Sequence, residues 1–177
     1  MVRKNKAVFL DRDGVLTIPK IKNGKSYAPT KVKDFKIYKN TNKQIAKLKK
    51  LGFKTLVVTN QPDVNRGIIS KKILNKMHTY LKKKIKINKV FTCPHKPEEL
   101  CKCRKPSPNM ILKAAVLYNI NLKKSFMIGD RKIDILSGKK AGCKTIFIDK
   151  NYKEKKPTTQ NFTAANLKLA VKYIELL

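Results

Sequence analysis

The chain has 177 residues, 41% of them hydrophobic, which is enough for one domain with a full core and too apolar for a disordered segment. No stretch approaches the roughly 18 apolar residues of a membrane span, and the short apolar run in "MVRKNKAVFLDRDG" is too brief for a signal peptide. A cytoplasmic protein with no membrane partner is the expectation. The net charge of +32 comes from 43 basic and 11 acidic residues, and it raises the question of nucleic acid. Yet the arginines are only Arg3, Arg12, Arg66, Arg104 and Arg131, and the lysines are spread along the chain with little aromatic interleaving. Solvated lysine faces are the expected reading, and nucleic acid is not expected as a partner.

In chain order, "AVFLD" (7–11), "TLVVTN" (55–60), "KVFTC" (89–93), "SFMIGD" (125–130) and "KTIFID" (144–149) predict buried parallel strands. Amphipathic stretches near 40–51, 70–85, 107–119, 131–141 and 163–176 predict helices between and after them. Ser70 and Ser107 are expected N-caps, the latter with Pro108 at the first helical position. Gly52 and Gly142 are expected helix ends. Segment 150–162 reads as a polar surface loop. The alternation predicts an α/β fold: a three-layer, Rossmann-like sandwich with a mostly parallel sheet, in one domain over 1–177.

Several strands end in a polar residue, and ligands of open α/β sheets bind beyond the carboxyl ends of the strands. Asp11 and Asp13 in "FLDRDG" are two apart, so they project to one side, and Gly14 lets the chain turn away. Thr59 and Asn60 close "VVTN" as possible donors to an oxyanion. Arg104 and Lys105 supply a planar fork and a point charge suited to phosphate. Asp130 in "MIGDRKID", with Arg131 beside it and Asp134 further on, can complete a hard-cation site with Asp11.

Between the third strand and the next helix, "CPHKPEELCKCRKP" gathers Cys93, His95, Cys101 and Cys103. In a reducing compartment such a cluster favours metal over disulfides. Three thiolates and an imidazole form the ligand set of a closed, tetrahedral structural zinc site. Zn²⁺ bound by the loop 93–103 is therefore expected. Cys143 reads as a core thiol, and His78, in the 70–85 helix, as surface or half-buried packing.

D-x-D-G, T-N, a lysine and G-D-x-x-x-D, each placed by a strand and in this order, resemble the haloacid dehalogenase superfamily phosphatases over residues 7 to about 148. "CPH…CxCRKP" narrows the resemblance to the zinc-containing branch that includes D-glycero-D-manno-heptose 1,7-bisphosphate phosphatase and histidinol-phosphate phosphatase. "TNQPDVNRG" is more similar to the heptose enzymes. The resemblance implies a fold without a large cap domain. It also implies Mg²⁺-dependent hydrolysis of a small sugar phosphate through an aspartyl-phosphate. By that resemblance Asp11 is the nucleophile and Asp13 the general acid and base. Thr59 and Lys105 stabilise the transferring group. Asn60, Gln61, Arg104 and Arg131 are expected to bind substrate. Mg²⁺ falls to Asp11, Asp130 and the main-chain carbonyl of Asp13. Arg131 stands where the heptose enzymes usually carry lysine and the histidinol enzymes arginine. A monomer acting on heptose 1,7-bisphosphate is the leading expectation. Histidinol phosphate, a polynucleotide 3′-phosphate and a non-catalytic zinc module follow in that order.

Overall fold

A computed structural model describes residues 4–177. Six parallel strands form the main sheet: β1 (Lys6–Leu10), β4 (Phe53–Asn60), β5 (Lys89–Cys93), β6 (Phe126–Gly129), β7 (Lys144–Ile148) and β8 (Phe162–Ala164), in the order β5-β4-β1-β6-β7-β8. A small antiparallel hairpin, β2 (Lys20–Lys22) and β3 (Lys25–Tyr27), is inserted after β1. The five helices are α1 (Thr41–Lys50), α2 (Lys71–Ile85), α3 (Asn109–Leu117), α4 (Lys132–Lys140) and α5 (Leu167–Glu175).

The central strand explains the layering. Residues 7–10 of β1 are wholly buried, with Val8 and Leu10 on one face and Ala7 and Phe9 on the other. Period-2 alternation therefore feeds two apolar faces at once. One face packs against Ile45 and Leu48 of α1, Met77 and Leu81 of α2, and Val171 and Ile174 of α5. The other packs against Met110, Ile111 and Ala114 of α3, and α4 covers β6 and β7 on that side, with Gly138 against Met127 and Thr145. Each fully buried Leu or Ile in these layers contributes about 1.5–3 kcal/mol of transfer free energy.

The three-layer parallel architecture predicted from the strand runs is present. Ser70 caps α2, its side chain accepting the Ile73 N–H at 3.2 Å, and Gly52 and Gly142 take positive φ where α1 and α4 end. Two local expectations are corrected. Pro108 is the N-cap of α3 and not its first residue, and Ser107 accepts instead from the Asn109 N–H at 3.3 Å. The stretch at 162–164 is an edge strand paired with β7, so α5 starts at Leu167. The hairpin over 20–27 has no counterpart in the sequence reading. Among the described residues no helix is long and apolar enough to cross a membrane.

Strand order reverses about β1: the chain builds β4 and β5 on one side of it, then β6, β7 and β8 on the other. That switch point leaves a crevice at the carboxyl ends of β1, β4 and β6.

Candidate active site

The residues that follow those strand ends meet in the crevice. Asp11, Asp13, Thr59, Asn60, Arg104, Lys105 and Arg131 line a cavity of about 230 Å³. At its floor the Lys105 ammonium, 3% exposed, donates to Asp11 Oδ1 at 2.6 Å and to the Val58 carbonyl at 2.8 Å. It also lies 2.6 Å from Asp134 Oδ1, an ion pair without hydrogen-bond alignment. Burial alone would lower the Lys105 pKa, but Asp11 and Asp134 hold it above the usual lysine value. Asn60 grips the Lys105 backbone at both ends, accepting from its N–H at 3.1 Å and donating to its carbonyl at 3.2 Å. The end of β4 thus sets where the lysine enters.

Asp11 is raised to about 6, chiefly by burial; Lys105 lowers it, and Asp134 and Asp13 raise it further. Asp130 is raised well above the usual carboxylate range by burial and then by Asp11 and Asp134. Both Asp130 oxygens are buried with no partner in hydrogen-bond geometry among the described residues, although the Tyr152 hydroxyl lies close enough to pull the Asp130 pKa partly back down. Gly14 makes this packing possible: a Cβ there would lie 1.8 Å from Asp130 Oδ2, and its φ of +95° suits glycine. Ligand oxygens of Asp11, Asp130 and Asp134 fall within 4.8 Å of one another.

Among the wholly buried groups of the crevice, charge is unbalanced when all are ionised. Asp11, Asp13, Asp130 and Asp134 are all buried, and the buried cations beside them are Arg12 and Lys105. Two carboxylate charges stay unmatched, the charge of one divalent cation. Buried polar groups are normally paired, so the orphaned Asp130 oxygens fit a hard cation with oxygen ligands.

Asp13 has the opposite surroundings. Its Oδ2 accepts from Arg12 Nε (3.0 Å), Arg12 Nη2 (2.8 Å) and Gln61 Nε2 (2.8 Å), and its Oδ1 accepts from the Thr17 hydroxyl at 2.9 Å. The carboxylate is not part of the cation cluster, which leaves only its main chain for that role.

Beside the crevice, Cys93 Sγ, His95 Nδ1, Cys101 Sγ and Cys103 Sγ form a second cluster with contacts of 3.0 to 3.6 Å. A tetrahedron of bonds about 2.0–2.3 Å long has edges of about 3.3–3.8 Å, so all of these contacts but the 3.0 Å Cys93–Cys103 one match the spacing of three thiolates and an imidazole about a zinc ion. All four cysteines of the chain are free thiols. Burial raises Cys101, but the Arg104 amide and neighbouring groups outweigh it and bring the thiol down to about 7. Arg104 Nη1 donates to the His95 carbonyl at 3.1 Å, which ties the cluster to the cavity wall.

Residues 10–148 match the family model of the haloacid dehalogenase-like hydrolases. The chain belongs to this family. Curated relatives include D-glycero-beta-D-manno-heptose-1,7-bisphosphate 7-phosphatase of Helicobacter pylori (strain J99), 39% identical over 81% of this chain and 83% of that protein. The D-glycero-alpha-D-manno-heptose-1,7-bisphosphate 7-phosphatase of Photorhabdus laumondii is 32% identical over 97% of this chain and 98% of that protein. Among solved structures, D,D-heptose 1,7-bisphosphate phosphatase from B. bronchiseptica, complexed with magnesium and phosphate, superposes with a TM-score of 0.82. It covers 97% of this chain and 98% of that one, at 23% identity.

Within this haloacid dehalogenase-like hydrolase the expected substrate-binding residues divide. Arg104 and Arg131 face the cavity, but Arg131 is gripped by Glu154, with three contacts of 2.7–2.9 Å. Gln61 is 1% exposed and does not line the cavity; it bonds Asp13, Arg12 and Thr59 from behind. His78 is likewise no surface residue. It is buried, with Nε2 3.0 Å from Arg12 Nη1. Its place on the α2 stripe of Leu74, Met77, Leu81 and Ile85 was the available signal. Sequence reasoning also missed Arg12, which is fully buried, and the segment 150–156. That segment brings the Tyr152 hydroxyl against Gly14 beside Asp130, and its Lys153 N–H donates to the Gly24 carbonyl at 2.8 Å.

Proposed function

We propose that the protein is a phosphomonoesterase that releases the 7-phosphate of D-glycero-D-manno-heptose 1,7-bisphosphate through an aspartyl-phosphate on Asp11. The observation that carries this reading is the Asp11 carboxylate at the cavity floor. One of its oxygens is bound to Lys105, the other is free, and an unpaired Asp130 stands beside it. The names of the relatives supply the substrate.

The residues divide the chemistry among themselves. Asp11 Oδ2 attacks phosphorus in line, and the bond from phosphorus to the sugar oxygen breaks. Asp13 gives that oxygen its proton, then takes one from the water that cleaves the acyl-phosphate, so the carboxylate is regenerated and phosphate leaves. A positioned acid of this kind is worth about 10²–10⁴-fold. Thr59 accepts from Gln61 Nε2 at 2.8 Å, so its own hydrogen is free to point at a phosphoryl oxygen. Lys105 acts mainly through its charge, since its neighbours already engage it. Asp11, Asp130 and the Asp13 main-chain carbonyl would hold Mg²⁺, which when bound neutralises the carboxylates facing an anionic phosphate. Zn²⁺ on Cys93, His95, Cys101 and Cys103 would brace the loop that presents Arg104 and Lys105. Arg104, engaged among the described residues only at Nη1 by the His95 carbonyl, would take the second phosphate more readily than Arg131, which is paired with Glu154.

Phosphate release should be compared for heptose 1,7-bisphosphate, histidinol phosphate, fructose 1,6-bisphosphate and a 3′-phosphorylated oligonucleotide. The highest kcat/KM is expected for the heptose bisphosphate. A preference of about tenfold or more for another member of the panel overturns the substrate assignment.

A further inference from the structure

We propose that His78, acting through the buried guanidinium of Arg12, and Gln61, which donates to Asp13 directly, are positioning residues that fix which oxygen of Asp13 carries the transferable proton. The inference rests on the reading of Asp13 as the general acid.

Arg12 follows Asp11, so its side chain leaves the opposite side of the chain and enters the core. It is 0% exposed, and its guanidinium carbon lies 5.2 Å from the centre of the Phe35 ring. Burying a guanidinium costs several kcal/mol unless its donors are paired. Nε and Nη2 go to Asp13 Oδ2, Nη2 also reaches Gln61 Oε1 at 2.8 Å, and Nη1 reaches His78 Nε2 at 3.0 Å. His78 is the partner of Nη1 among the described residues. To accept from it, Nε2 must carry a lone pair, so the ring is neutral with its proton on Nδ1. Burial and then Arg12 push the His78 pKa down to about 4, in keeping with that tautomer.

The consequence falls on Asp13. Oδ2 receives three N–H donors, which leaves no room for a proton. Among the described residues Oδ1 meets only Thr17, whose Oγ1 lies 2.9 Å from Oδ1 and 3.1 Å from the Arg12 carbonyl oxygen, two alternative acceptors for its single hydrogen. When Oδ1 is protonated, Thr17 turns its hydrogen to the carbonyl. When Oδ1 gives up the proton, Thr17 can turn back. Arg12 holds the carboxylate in that orientation only while its far edge is fixed, and His78 fixes it.

The test uses the leaving group as its readout. A sugar alkoxide needs a proton to depart; 4-nitrophenolate does not. For His78→Leu, kcat/KM for the sugar bisphosphate should fall about tenfold or more, while that for 4-nitrophenyl phosphate should change less than about threefold. His78→Gln, whose amide oxygen can accept from Nη1, should recover most of the loss. If His78→Leu does not fold, His78→Phe, also without an acceptor, is measured in its place. Asp13→Asn separates the two levels of the claim. If it lowers kcat/KM equally for both substrates, the general-acid reading fails, since kcat/KM reports the step that releases the leaving group and not the later hydrolysis. If it shows the leaving-group dependence and the His78 variants lower both substrates equally or neither, that reading stands and this inference is overturned.

Discussion

Asp13 and Asp130 are two buried carboxylates in the same crevice as Asp11, and the protein treats them in opposite ways. Asp13 accepts four hydrogen bonds, from Arg12, Gln61 and Thr17. Asp130 accepts none among the described residues, and Gly14 packs its backbone against it. A buried charge must be paired or it takes up a proton. At Asp13 the fold supplies the partners itself, which fixes a rotamer. At Asp130 it withholds them, which fits the cation ligand proposed above. Stability and function thus diverge within one crevice: the satisfied carboxylate supports the fold, and the orphaned one weighs on it.

The largest effect is expected at Asp11. Asp11→Asn is nearly isosteric but cannot form an acyl-phosphate, so turnover should drop below about 1% of wild type with the fold retained, measured by phosphate release and circular dichroism. Greater residual activity would remove Asp11 from the nucleophile role. Next comes the loop 93–103, with its proposed zinc ligands. Cys101→Ser should lose its equivalent of zinc, seen by metal analysis, and lower thermal stability by several kcal/mol, with activity falling in consequence.

A smaller effect separates the two carboxylates directly. Without Mg²⁺, Asp13→Asn sets an NH₂ or a poorer acceptor against the Arg12 and Gln61 donors and should cost about 1–3 kcal/mol in urea unfolding. Asp130→Asn removes unpaired charge and should stabilise the metal-free protein. Equal signs for the two would break the comparison.

The smallest effect is its pH dependence. Asp130 is raised above its unfolded value of 3.8, so the folded state holds the proton longer than the unfolded one. Stability from this source is present below that value and is lost as pH rises above about 4. The advantage of Asp130→Asn over wild type should therefore grow with pH from about 4 upward, and a constant difference would contradict it.

Most of the crevice was legible because strand ends are legible. Runs such as "AVFL" and "LVV" locate β1 and β4, and the polar residue after each lies at the sheet's carboxyl edge. The hairpin was not, since the side chains of "KIK" are all exposed and carry no core pattern. Edge strand β8 has only "FTA" and sits in a polar stretch. Arg12 was hidden by its neighbours: attention goes to the carboxylates at 11 and 13, whereas the residue between them faces the core. His78 kept helical phase with Leu74 and Leu81, but a lone histidine on an apolar stripe has no pattern that names its partner. Tyr152 and Glu154 act through tertiary contact alone.

Calorimetric titration of Mg²⁺ into zinc-loaded, magnesium-free protein, wild type beside Asp130→Asn, tests the account most directly. It predicts one equivalent of Mg²⁺ bound by wild type and none by the variant, with zinc content equal in both. Equal Mg²⁺ binding by the two proteins, or none by wild type, would contradict it.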